Sequence, residues 1–150
     1  MGSVRLVTLE SRLIAAVRRR TTVAKVPSVI LPALDMVWSV VRGQRMTFGK
    51  NVAVYRAVGG DEIDAEFGVE VADRFDDVGE VRCVQTPKGM AAAMTHVGPY
   101  SGLLKTYTAI GVWMREHGYL PAGVAVEVYG HWIQDESRLE TEVYMLVAPR

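Results

Sequence analysis

The chain has 150 residues, 49% of them hydrophobic and 23% charged, the size and balance of one compact domain with its own core, which excludes a multidomain assembly and a disordered segment. Its 17 basic and 17 acidic residues cancel, so no global field draws it to nucleic acid or to an anionic membrane surface. The lone cysteine, Cys83, excludes an internal disulfide and a thiolate metal site; with no signal peptide and no apolar stretch of membrane-spanning length in the pattern, a cytoplasmic setting is expected.

Residues 4–23 alternate at a period near two and read as extended structure, bent at Glu10-Ser11-Arg12. The run Arg18-Arg19-Arg20 lies on a strand, where successive side chains point to opposite faces, so it forms no basic stripe. After Pro27, the apolar residues Ile30, Leu34, Val37, Trp38 and Val41 fall on one helical face; a helix over 29–42 is predicted, with Ser28 as N-cap, Pro32 in the first turn and Gly43 as the stop. Two strands, 51–57 and 65–72, flank the turn Gly59-Gly60-Asp61, and the polar stretch 73–79 reads as a linker.

The second half repeats that order. An extended segment over 80–97 breaks at Pro87-Lys88-Gly89, a helix carries Leu103, Tyr107, Ile110 and Met114 on one face, and strands follow over 124–130 and 140–148. Trp38 and Trp113 take similar places in the two helices. The expected fold is α+β: two pseudo-symmetric β-α-β-β half-repeats, about 4–72 and 80–148, in one domain over 1–150, with antiparallel sheets, helices on one side and a central ligand cleft.

The chemistry concentrates in the last two strands. Val124, Val126 and Val128 point one way and belong against the helices, while Glu127 and Tyr129 point the other. In the final strand Glu142 and Tyr144 oppose Thr141, Val143, Met145 and Val147. If the two strands form a hairpin, two carboxylates and two tyrosines share a face, with Tyr55 contributing from the first half. The pattern fits solvated glutamates and edge-packing tyrosines equally well. His96, His117 and His131 match no metal spacing, and neither a metal nor a cofactor is expected. A phosphate loop and a nucleophile elbow are also missing from the sequence.

The series His96-Val-Gly-Pro-Tyr100, a helix through Tyr107 and Trp113 to Glu116-His-Gly118, then Glu127-Val-Tyr129 and Glu142-Val-Tyr-Met-Leu-Val147, resembles the GyrI-like (gyrase-inhibitor-like) effector-binding domains, also found at the C-termini of AraC- and MerR-type bacterial regulators. The resemblance is good over 80–148 and compatible over the first half. It implies a cleft for lipophilic, aromatic or cationic small molecules. The family's buried glutamate falls on Glu127, and Tyr129, Tyr144, Tyr100 and Trp113 are candidates for its aromatic wall. Because the chain opens on a strand, a stand-alone member without a helix-turn-helix is expected. The first implied function is capture of such compounds, in drug or toxin sensing or sequestration. The alternative is hydrolysis of electrophilic cyclopropane-bearing aromatic compounds, with Glu127 as general acid or base and Tyr144 beside it. The third is an interaction module with gyrase or a regulator as protein partner, as monomer or homodimer.

Overall fold

The computed structural model describes residues 2–149. Each half contributes two consecutive strands, a helix and a hairpin. The first contains β1 (Arg5–Leu9), β2 (Leu13–Thr22), α1 (Val26–Gly43), β3 (Phe48–Gly59) and β4 (Glu62–Val71). The second contains β5 (Arg82–Gln85), β6 (Gly89–Val97), α2 (Leu103–Glu116), β7 (Pro121–Tyr129) and β8 (Glu140–Val147). All ten-residue-scale alternations in the sequence end as strands of one antiparallel sheet, in the order β1-β6-β8-β7-β3-β4-β2-β5.

That order reads the same from either end once each element is exchanged for its counterpart in the other half. The extended segment expected in each half is therefore two strands, and its break has a topological purpose: β1 pairs with β6 of the other half, while β5 pairs with β2. The two central strands, β3 and β7, pair with Ala53 directly opposite Glu127, which places the pseudo-twofold axis at that pair. Around it the segments Val52-Ala-Val-Tyr55 and Val126-Glu-Val-Tyr129 are equivalent.

The sheet curls. Strands β1 and β2 stand six places apart, about 29 Å in a flat sheet, yet residues 10–12 that join them span at most about 14 Å. The crossovers of the two halves are laced together: Arg12 N–H donates to Thr86 Oγ1 (2.7 Å), Thr86 N–H donates to the Arg12 carbonyl (2.8 Å), and Ser11 Oγ donates to the Thr86 carbonyl (2.7 Å). The inner face of the curl closes on Leu9, Ile14, Ala16, Val52, Val54, Ala91, Val126, Val128 and Leu146, a core with no helical residue. This corrects the expectation that the valine face of β7 lies against the helices. Gly68 lets β2 and β4 approach closely: an added Cβ would stand 2.1 Å from the Ala15 carbonyl oxygen of the neighbouring strand.

Both helices cover the outer face. α1 seats Ala33, Val37 and Val41 over Ala15, Val17, Ala53, Ala65, Phe67, Val69 and Val71. α2 seats Thr106, Ile110 and Met114 at the same spacing, over Ala92, Met94 and Val143. Matching these positions pairs Leu34 with Tyr107 and Trp38 with Gly111, so the two tryptophans are not equivalent. α1 starts earlier than expected: its N-cap is Lys25, Ser28 instead donates from Oγ to the Lys25 carbonyl (2.8 Å), and Pro32 falls in the second turn on the exposed side. The segment Val23–Gly43 is long and apolar enough, by length and composition alone, to cross a membrane, contrary to the sequence reading; its face through Val26, Ile30, Ala33, Leu34, Val37 and Val41 meets the sheet, while Val23 and Leu31 are exposed. The arginine run is held in ion pairs, Arg18 with Asp64 and Arg19 with Glu80.

Candidate functional site

The site forms on the pseudo-twofold axis, on the helix-covered face, where α1 and α2 flank the β3·β7 pair. Alternation along β7 turns Glu127 away from the valine core and toward the helices. There the carboxylate is 4% exposed. Both oxygens are occupied: Tyr107 of α2 donates its hydroxyl to Oε2 at 2.5 Å, and Tyr129 donates to Oε1. Tyr55, the symmetry counterpart of Tyr129, adds a third phenol coupled to Tyr129 and to the carboxylate, and its ring packs edge-on to Phe67 at 5.9 Å. Tyr100, in the turn before α2, stands edge-on to Tyr129 with centroids 5.7 Å apart and is 43% exposed.

Burial sets the electrostatics. Withdrawal from water pushes the Glu127 carboxyl above its ordinary 4.5, against the opposing pull of the two tyrosine hydrogen bonds and of His96. The same burial, reinforced by the neighbouring carboxylate, raises Tyr55, Tyr107 and Tyr129 above the phenol range, so all three remain donors at neutral pH. The result is a buried carboxyl held by phenol hydroxyls among aromatic side chains, a chemistry that can meet a cation by Coulomb attraction in reduced dielectric.

The strand register separates residues that the sequence grouped. Glu127 faces Val143 across the β7·β8 ladder, whereas Tyr144 faces Val126 and Glu142 faces Val128. Cross-strand partners share a face, so Glu142 and Tyr144 lie on the side opposite Glu127. Glu142 accepts from Arg5 (3.0 Å) and from Thr95 Oγ1 (2.6 Å), and Tyr144 packs against the inner core. Trp113 is also elsewhere: it stacks on His117 at 4.2 Å and Tyr119 at 5.6 Å near the end of α2. The structure thus brings together Glu127, Tyr129, Tyr55 and Tyr100, and adds Tyr107, which sequence reasoning leaves among residues packed between helix and sheet. The available signal was a single polar-tipped residue on the face Leu103, Tyr107, Ile110, Met114.

Among the described residues no group of three or more His, Cys, Asp or Glu is placed to hold a metal. Cys83 is half-buried on β5. Two surface concavities, of about 500 and 270 Å³, lie away from Glu127: one is lined by residues of the 74–77 loop and Cys83, the other by Lys50, His131, Arg138 and neighbours. Glu127 itself is covered, beneath the hydroxyls of Tyr107 and Tyr129.

Residues 3–148 match the family described as the GyrI-like small molecule binding domain. Among solved structures, the EcmrR C-terminal domain aligns with a TM-score of 0.81 at 21% identity, covering 99% of this chain and 98% of that one. In the EcmrR–DNA complex the match, at 20% identity and TM-score 0.81, covers 97% of this chain and 57% of that one. SAV2435 bound to tetraphenylphosphonium aligns at 0.73 with 9% identity, covering 97% of this chain and 94% of that one. A hydrolase encoded by lin2189 from Listeria innocua aligns at 0.62 with 11% identity, covering 97% and 92%. Comparison with curated protein sequences found no match.

Proposed function

The chain belongs to the family of GyrI-like small molecule binding domains, and on that premise we propose that it captures lipophilic cations or aromatic compounds at a site centred on Glu127. The observation that carries this reading is a buried carboxylate on the symmetry axis whose two oxygens are held by tyrosine hydroxyls. A ligand cation replaces the tyrosine protons as partner of the carboxylate, while Tyr55, Tyr100 and Tyr129 offer ring faces. That SAV2435, a protein of the same fold, is bound to tetraphenylphosphonium makes this cation the natural probe.

Binding to the folded state raises the melting temperature by mass action. Tetraphenylphosphonium is expected to raise the Tm of the wild type, and Glu127→Gln is expected to lower the affinity by about tenfold or more, the scale of losing one charge close to a cation in reduced dielectric. Equal shifts in both proteins overturn the reading.

A second reading is hydrolysis. It is favoured by the raised Glu127 carboxyl, suited to general acid–base work, and by the fold shared with the Listeria innocua hydrolase. Its test is turnover of an electrophilic aromatic substrate beyond one equivalent per chain, abolished by Glu127→Gln.

A further inference from the structure

A ligand reaches Glu127 only after the groups on its oxygens move. Of the tyrosines above the carboxylate, Tyr129 stands on the central strand β7, whereas Tyr100 and Tyr107 belong to one continuous stretch, 98–107, running from the end of β6 into α2. The helices beside the site are also unequally seated. α1 shares a core of eleven buried residues, Ala15 to Val81, and α2 a core of five. The cover on the α2 side is therefore the part with the lower local stability.

What fastens that cover is His96. The imidazole is buried on the helix side of β6 and reaches both ends of the following turn: Nε2 lies 2.9 Å from the Pro99 carbonyl oxygen and Nδ1 lies 2.8 Å from Thr106 Oγ1. A carbonyl only accepts, so Nε2 carries the proton; in the neutral tautomer Nδ1 accepts from the Thr106 hydroxyl. The ring also fills the space over Gly102, where an added Cβ would stand 3.1 Å from Cε1. One side chain thus ties residues 99 and 106 to the sheet and sits against residue 102; Tyr100 lies within that span and Tyr107 directly follows it. In the other half Arg19, at the corresponding place on β2, donates instead to Met36 Sδ of α1 (3.5 Å) and to Glu80.

We propose that His96 is a positioning residue: its bonds to Pro99 and Thr106 latch the 98–107 segment over Glu127 and set how fast a ligand enters and leaves. The proposal rests on Glu127 being the binding carboxylate.

The test compares His96→Gln, Thr106→Val and Thr106→Ser in the full chain, by hydrogen exchange without ligand and by stopped-flow binding of tetraphenylphosphonium. Thr106→Val keeps the imidazole in place if His96→Gln fails to fold. In both latch variants, exchange over 98–107 is expected to rise about tenfold, the scale of one lost buried hydrogen bond. Exchange in β3 and β7 stays unchanged. The association and dissociation rates of the probe rise together, so affinity moves less than either rate. Thr106→Ser restores the wild-type values, because it keeps the hydroxyl. Exchange that is unchanged, or raised throughout the chain, overturns the latch, as do unmoved rates in the variants when the wild type binds through Glu127. A wild type that ignores the probe, or a Glu127→Gln variant that holds it as tightly, overturns the site reading instead.

Discussion

The two halves of the sheet share their strand order and helix spacing but differ in what they place at equivalent positions. Across the axis Ala53 faces Glu127. One turn of helix above, Leu34 of α1 answers Tyr107 of α2, and Ala33 answers Thr106. On the flanking strands Phe67, fully buried, answers Val143. The first half is thus apolar and closely packed under its helix and lends Tyr55 to the site, while the second carries the buried carboxylate, its donors and His96. A buried carboxylate costs stability unless it is well hydrogen-bonded, and a repeat lets one half supply the packing against which the other holds a polar centre.

The strongest way to break this asymmetry is to make the axis symmetric in charge. Ala53→Glu would set a second buried carboxylate directly opposite Glu127, with an expected loss on the order of 5 kcal/mol at neutral pH. Two close carboxylates share a proton, so part of the loss is expected to return in acid. Urea unfolding at pH 7 and pH 5 measures both; a variant as stable as the wild type would mean that the axis is far roomier than its burial indicates.

The next effect belongs to the apolar half. Phe67→Ala removes the largest fully buried side chain and is expected to cost about 3–4 kcal/mol. In protein that remains folded, the dependence of ligand binding on Glu127 should persist, because Phe67 meets the site at the ring of Tyr55 and holds neither carboxylate oxygen. Loss of that dependence would show that the halves do not divide stability and chemistry.

A smaller effect reads the polar half through protons. The folded-state pKa of Glu127 lies above its ordinary 4.5, raised first by burial, so the folded protein holds this proton more tightly than the unfolded chain. The contribution is fully present below pH 4.5 and is lost as pH rises through the folded value. Wild type should therefore lose stability relative to Glu127→Gln on going from acid to neutral pH, seen as a converging or crossing pair of unfolding curves. A gap that moves the other way would mean that the tyrosine bonds outweigh desolvation.

Much of this architecture was legible in the sequence because both periodicities are strong. The helix faces, the Gly59-Gly60 hairpin and the repeat of the halves follow from apolar spacing, and Glu127 stands out as a carboxylate in a valine-rich strand. The repeat was visible more finely still, as Val52-Ala-Val-Tyr55 against Val126-Glu-Val-Tyr129, which puts the axis at the glutamate. Two things were not legible. Alternation tells which residues share a face within one strand but leaves the register between strands free, so Glu142 and Tyr144 could not be separated from Glu127 by pattern alone. The curl of the sheet was hidden for a related reason: an apolar face normally seeks helices, and only the exchange of β1 and β5 between halves shows that the inner face packs on itself.

The smallest expected effect decides that register. Tyr144 packs on the inner face of the sheet, with Val126 as its cross-strand partner, while Glu127 projects from the outer face one residue away. Removing the Tyr144 hydroxyl keeps the ring that fills the inner core, so Tyr144→Phe should change stability by less than about 0.5 kcal/mol. It should also leave the affinity for tetraphenylphosphonium within twofold, the scatter expected of sites that share no partner. Tyr129→Phe, one strand face over, removes a donor to Glu127 and should change that affinity clearly. If the two variants behave alike, a one-residue slip of β8 against β7 would bring Tyr144 and Glu142 onto the face of Glu127, and the aromatic wall would be drawn from the second half alone.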